Sequence, residues 1–95
     1  MNIKDLHTPD KGVSATSIFK SDLGNAISIR LLKGEELKEH ITKIKALLVC
    51  IEGNAIFENE KGAKYDLNSG DYVNIEEFVK HKVFAVIESH LILIK

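Results

Sequence analysis

Four histidines, His40 and His81 among them, are the side chains of this chain best suited to hold a metal ion or a polar ligand. A neutral imidazole nitrogen is a common metal ligand, and its charge changes near neutral pH. Two imidazoles alone hold a divalent ion weakly, because catalytic sites generally use three protein ligands. The other two histidines, His7 and His90, lie outside any recognisable constellation and are given no role. Cys50 is the single cysteine, so no internal disulfide can form, in keeping with a reducing compartment. The chain has no nucleophile–base arrangement, no phosphate-binding glycine loop and no paired-cysteine motif.

The elements that must position these residues read as strands. Ala26–Leu32 begins with alternation and is β-branched, and Ala46–Glu52 is an apolar run suited to a buried strand. Gly53-Asn54 suits a tight hairpin, with Ala55–Asn59 as the return strand. Turn signals at Glu60–Gly62 and Asn68–Asp71 separate the strand-like runs Tyr65–Leu67 and Tyr72–Ile75. His81–Ile87 and His90–Ile94 complete the series around Glu88-Ser89. Short strands with turns about every 8–12 residues indicate a sandwich or barrel. Residues 1–25 form a less regular N-terminal arm, in which Ser17–Phe19 suits an added strand at a dimer interface, and residues 26–95 form the barrel. One segment competes: Leu37, Ile41, Ile44 and Leu48 recur at helical spacing, with Glu39 and Lys43 as an i,i+4 pair. Taken alone, Gly34–Leu48 reads as an amphipathic helix; strands there are what the resemblance described next implies.

The spacing of the candidate ligands resembles the two linked motifs of the cupin family. The first runs Gly, five residues, His, any, His, three or four residues, Glu, six residues, Gly. Here Gly34, His40, Thr42, Ala46 and Gly53 stand at those positions. The second runs Gly, five residues, Pro, any, Gly, two residues, His, three residues, Asn. Here Gly70, Glu76, Phe78, His81 and Ala85 stand there. Gly70-Asp71-Tyr72-Val73 is similar to the family's Gly-Asp-hydrophobic opening of the second motif, and the resemblance extends from Ser28 to Ile94.

The resemblance implies an all-β, single-domain jelly-roll barrel of the RmlC-like type, and a homodimer with strands exchanged or packed between subunits. In the family, two histidines, the Glu and the later His bind iron, manganese, nickel or zinc. Thr42 and Ala46 replace two of those ligands. A hydroxyl is a poor ligand for such ions and a methyl is none. What remains is a degenerate metal site, His40 and His81, holding a divalent ion (Zn, Ni, Mn or Fe) weakly or not at all, with no tightly bound cofactor. The resemblance also implies a ligand pocket lined by His40, Thr42, Ala46, Leu48, Cys50, His81 and Val83, with the two histidines facing each other across the barrel and with that end roomier than in a metal-loaded relative because Thr42 and Ala46 replace larger ligands. Cys50 reads more simply as a small buried hydrophobe than as a cavity thiol. His40 and His81 read equally as relic polar residues. Phe57, Tyr65, Phe78 and Phe84 are assigned to the core or to a dimer interface.

Composition narrows the partners. At 95 residues the chain is one domain with a small core, and its formal net charge of −1 offers nothing to a phosphate backbone, so nucleic acid is excluded as a partner. The longest strongly apolar run, Ala46–Ile51, is far short of the ~20 residues a membrane span needs. No apolar signal core appears at Met1–Asp5, and a cytoplasmic location is expected. Two functions stay open. One is a non-catalytic small-molecule-binding or regulatory barrel. The other is a metal-dependent isomerase- or dioxygenase-type enzyme that uses His40, His81 and a substitute ligand such as Glu39 or water.

Overall fold

The computed structural model describes all residues, Met1–Lys95. Nine strands follow a short 3-10 turn at Ile3–Asp5: β1 (Val13–Ser21), β2 (Gly24–Leu31), β3 (Glu36–His40), β4 (Ala46–Glu52), β5 (Asn54–Asn59), β6 (Lys64–Asn68), β7 (Tyr72–Ile75), β8 (His81–Ala85) and β9 (Ser89–Ile94). They form two antiparallel sheets, a five-stranded sheet of order β1-β2-β9-β4-β7 and a four-stranded sheet of order β3-β8-β5-β6. The result is an all-β jelly roll. The sheets share no strand, so the domain is a sandwich open at its edges rather than the closed barrel expected from the sequence.

Alternation along each strand explains the layers. Ile29 and Leu31 of β2, Leu48 and Cys50 of β4, Leu91 and Leu93 of β9 and Val73 and Ile75 of β7 point inward from the larger sheet. Ala55 and Phe57 of β5, Leu67 of β6 and Val83 and Ala85 of β8 meet them from the smaller one. The N-terminal arm contributes β1, which pairs with β2 of the same chain from Val13↔Leu31 to Ser21↔Gly24.

The Gly53-Asn54 turn does not close a hairpin. β4 lies in the five-stranded sheet and β5 in the four-stranded one, so the turn carries the chain from one layer to the other. Gly53 takes φ +117, and a Cβ there would lie 2.7 Å from the Glu88 carbonyl oxygen and the Ser89 Cα. Only glycine lets the chain pass β9 so closely. The register shift between Cys50 and Glu52 in the β4–β9 ladder bends β4 toward this crossing.

The helical spacing over Gly34–Leu48 has a different cause. Leu37 pairs with Val83 and His40 with His81, so three steps on β3 span two on β8. This bulge turns both Leu37 and His40 to the inner face, while Lys38 and Glu39 are exposed. Ile41 and Ile44 lie exposed in the β3–β4 connection, so no buried stripe exists. No helix of the structure is long and apolar enough to cross a membrane.

Candidate functional site

His40 and His81 come together, though not across the domain. They are cross-strand partners on adjacent strands of one sheet, with ring centroids 4.1 Å apart and planes inclined at 62°. The motif spacing gave their proximity but not which strands pair, since pairing depends on the β3 bulge. His81 is buried and stacks on Phe57 at 5.7 Å, whereas His40 is half-buried and reaches the surface.

Backbone carbonyls fix the protons of both rings. His40 Nδ1 donates to the Lys38 carbonyl at 3.0 Å, and His81 Nδ1 donates to the Val79 carbonyl at 3.3 Å. A carbonyl only accepts, so each Nδ1 carries the hydrogen and each Nε2 presents a lone pair when the ring is neutral. Burial lowers the pKa of His81 below the ordinary histidine value. The Val79 carbonyl opposes this and the neighbouring His40 adds to it. Thr42 is buried and its Oγ1 has no hydrogen-bond partner. A buried hydroxyl without a partner is uncommon and calls for an explanation.

The other expected lining residues are packed into the core. Leu48, Cys50 and Val83 are each at most 1% exposed. Burial, with the nearby Asp71 carboxylate as a lesser cause, raises the pKa of the Cys50 thiol. The roomy interior cavity implied by the smaller Thr42 and Ala46 is not formed. Among five surface depressions, the seven expected residues contribute only Ala46, to one of about 260 Å³ with Lys45, Asn74, Ile75 and Glu76. Phe57 and the aliphatic side chains fill the centre, so access to the histidine pair is at the end of the sandwich, through His40. Of the aromatic residues assigned to core or interface, Phe57 is in the core, while Tyr65, Phe78 and Phe84 are 50%, 65% and 42% exposed.

The donor set does not fit a tightly held metal. No three His, Cys, Asp or Glu side chains converge anywhere in the chain, and Glu39 is exposed on the outward side of the bulge. The site offers two Nε2 atoms and one hydroxyl, which suits hydrogen bonding to a polar group better than coordination.

A second histidine pair escaped the sequence reading. His7 Nδ1 lies 2.7 Å from Ser14 Oγ and its Nε2 lies 3.0 Å from Ser28 Oγ, with the His90 ring 6.1 Å away. Arg30 beside it donates to the carbonyls of Thr8 and Lys11 at 2.6 and 2.7 Å. These contacts pin residues before β1 onto the outer face of the five-stranded sheet. The signal was present in the i,i+2 pair Ser28 and Arg30 on β2, polar residues alternating with the inward Ile29 and Leu31.

No family model and no curated protein matches the chain. Solved structures do. A cupin superfamily protein from Desulfitobacterium hafniense aligns at TM-score 0.87 with 16% identity, covering 98% of this chain and 84% of that one. An RmlC-like cupin from Desulfovibrio desulfuricans gives TM-score 0.85 with 19% identity, covering 98% and 90%. An RmlC-like cupin with a double-stranded β-helix fold from Methanocaldococcus jannaschii gives 0.79 with 16% identity, covering 94% and 84%. Together with the two antiparallel sheets and their strand order, these matches establish that the chain has the fold of the small, single-domain RmlC-like cupins.

Proposed function

We propose that this chain is a non-catalytic small-molecule-binding domain whose ligand is held at the His40–His81 pair. The observation that carries the reading is the hydrogen-bond state of the pair. Both Nδ1 atoms are committed to backbone carbonyls, so both Nε2 atoms are left as acceptors. The unpartnered Thr42 hydroxyl lies two residues beyond His40 and is itself closed off from solvent, so it becomes a further donor or acceptor only where the β3–β4 connection opens. The two acceptors match a ligand O–H or N–H. The alternative, a metal-dependent isomerase or dioxygenase, has the two Nε2 lone pairs in its favour. It lacks a third ligand of the type such catalysis uses. The test is calorimetric titration with zinc and, separately, NMR titration with small hydroxyl compounds, following the histidine ring signals. Submicromolar zinc binding near one ion per chain overturns the non-catalytic reading. Millimolar or tighter binding of a hydroxyl compound that moves the His40 and His81 signals supports it.

The same proposal includes a homodimer, paired through the outer face of the five-stranded sheet. Alternation places Leu47 and Val49 of β4, Ile92 and Ile94 of β9 and Ala26 of β2 on that face, none of them charged. The outer face of the other sheet carries Glu36, Glu58, Lys64 and Lys82. This apolar patch lies on the same face as the Arg30 and His90 cluster but carries no charge itself, and an uncharged patch is complementary to itself, as a two-fold interface requires. Light scattering should give a mass of two chains, and V49E or I92E should give one.

A further inference from the structure

Phe78 is the one non-glycine residue with positive φ, at +60. A side chain crowds the backbone there, and glycine adopts the conformation freely. Burial does not explain the strain, because the Phe78 ring is 65% exposed. The backbone explains how it is held. Phe78 N–H donates to the Thr42 carbonyl at 2.8 Å, which ties the β7–β8 connection to the β3–β4 connection. The next residue, Val79, is buried, and its carbonyl is the one that fixes the His81 proton. The strained residue is therefore linked by one hydrogen bond to Thr42 and by one residue to the His81 contact. Ile41 and Ile44, 46% and 55% exposed, lie on the connection that carries Thr42. The end of the sandwich thus places one exposed aromatic and two exposed aliphatic side chains on the two loops that frame the His40–His81 pair.

Strained non-glycine conformations concentrate at ligand clamps, where the surroundings over-determine them. Resting on the small-molecule-binding reading above, we propose that Phe78 is a ligand-contact residue that selects for a flat, apolar body bearing one O–H or N–H donor, as in phenols. The donor meets an Nε2 lone pair, and the flat body meets the Phe78 ring. Aromatic pairs gain from offset or edge-to-face contact beyond the area they bury. A saturated ring of similar size keeps the hydrogen bond and loses that gain. The position is thus set for discrimination between ligands rather than for the stability of the fold.

The experiment uses the whole chain and two probes, phenol and cyclohexanol, titrated while the His40 and His81 ring signals are followed by NMR. Phenol should bind the unaltered chain about three- to tenfold more tightly than cyclohexanol. F78G should cut that preference to what the stronger phenol O–H donor gives alone and leave cyclohexanol affinity within about twofold, with Tm unchanged or higher by a few degrees as the strain is relieved. F78L keeps apolar bulk without the aromatic face and should cut the preference likewise. An unchanged phenol preference in F78G and F78L, with H40A still abolishing phenol binding, overturns the role of Phe78 and leaves the site standing. A fall in Tm of more than about 5 °C in F78G, with both probes weakened alike, also overturns it, because Phe78 is then a packing residue. If neither probe moves either ring signal in the unaltered chain, the binding reading fails and takes this inference with it.

Discussion

The two histidine pairs use the same side chain in opposite ways. In the outer cluster both nitrogens of His7 are met by serine hydroxyls, and Arg30 and the Lys4–Glu52 ion pair fasten the flanking chain. Nothing on His7 is left for a ligand. In the inner pair each ring spends one nitrogen on a local carbonyl and keeps the other. Burial does not separate them, since His7 and His81 are both largely buried. What separates them is how the rings are held: both nitrogens of His7 are engaged, although His90 Nδ1 and Arg30 Nε beside it are buried without partners, whereas each ring of the inner pair keeps one nitrogen as a spare acceptor. A buried polar group with all its partners rigidifies a fold, and one with capacity left over marks a place where something else can bind.

The largest expected effect is on the outer cluster. Arg30 is buried and its guanidinium donates to two carbonyls that hold residues 8–11. Charged hydrogen bonds contribute about 1.5–3 kcal/mol each, so R30A should cost on the order of 2–4 kcal/mol and lower Tm by roughly 10–20 °C. H7A leaves the Ser14 and Ser28 hydroxyls without a partner and should cost about 1–3 kcal/mol. H40A removes a half-buried ring whose one hydrogen bond is local and should cost less than about 1 kcal/mol. Thermal unfolding of the three variants checks the order. If H40A costs as much as H7A, the inner pair is also a fastening and the contrast collapses.

Acid should loosen the outer cluster. Burial lowers the pKa of His7, and the Arg30 and His90 charges facing it lower it further. Glu88 lies 3.6 Å from His90, and Lys4 pairs with Glu52 at the rim, so the acidic groups are engaged elsewhere. The folded state therefore holds His7 neutral at a pH where the unfolded chain, with a value near 6.5, binds a proton. This contribution is complete above about pH 6.5 and is lost as pH falls from there through the folded value. The slope is at most about 1.4 kcal/mol per pH unit for one histidine. Denaturant unfolding at pH 7.5, 6.0 and 5.0 should show this slope in the unaltered chain. H7Q should be flatter over the same window, and an identical slope there would remove His7 from the account.

The strands were legible because period-two alternation is a local property. Ala46–Glu52 and Tyr72–Ile75 coincide with β4 and β7. Layer assignment was not, because Gly53-Asn54 has the composition of a hairpin and acts as a corner. What decides this is the closeness of β9, which the local sequence does not contain. The proximity of His40 and His81 was legible through motif spacing, yet a bulge seen only in the pairing makes them neighbours in one sheet. Thr42 and Ala46 are small, and the expectation of a roomy pocket overlooked that Phe57 and the aliphatic core close in behind them. Phe78 stands where the second motif has glycine, and its backbone takes a positive φ that glycine adopts freely. His7 was invisible because its partners come from β1 and β2, 7 and 21 residues away, with no motif to connect them.

The smallest expected effect sharpens the contrast from the inner side. Two Nε2 atoms with no third His, Cys, Asp or Glu in reach should bind zinc or nickel no more tightly than the micromolar range. A ligand stabilises by RT ln(1 + [L]/Kd), so ten micromolar metal at that affinity adds about 1.4 kcal/mol or less. Added zinc should raise Tm by at most about 10 °C, and chelator applied to the purified chain should shift it by less than about 2 °C. H40A should abolish the zinc effect and leave the chelator result unchanged, whereas H7A should leave both unchanged because His7 has no nitrogen to give. A fall of 10 °C or more on chelation would mean that the inner pair is completed into a metal site by groups outside the histidines. The spare acceptors would then belong to an ion, and the pairs would differ in what fills them rather than in whether they are filled.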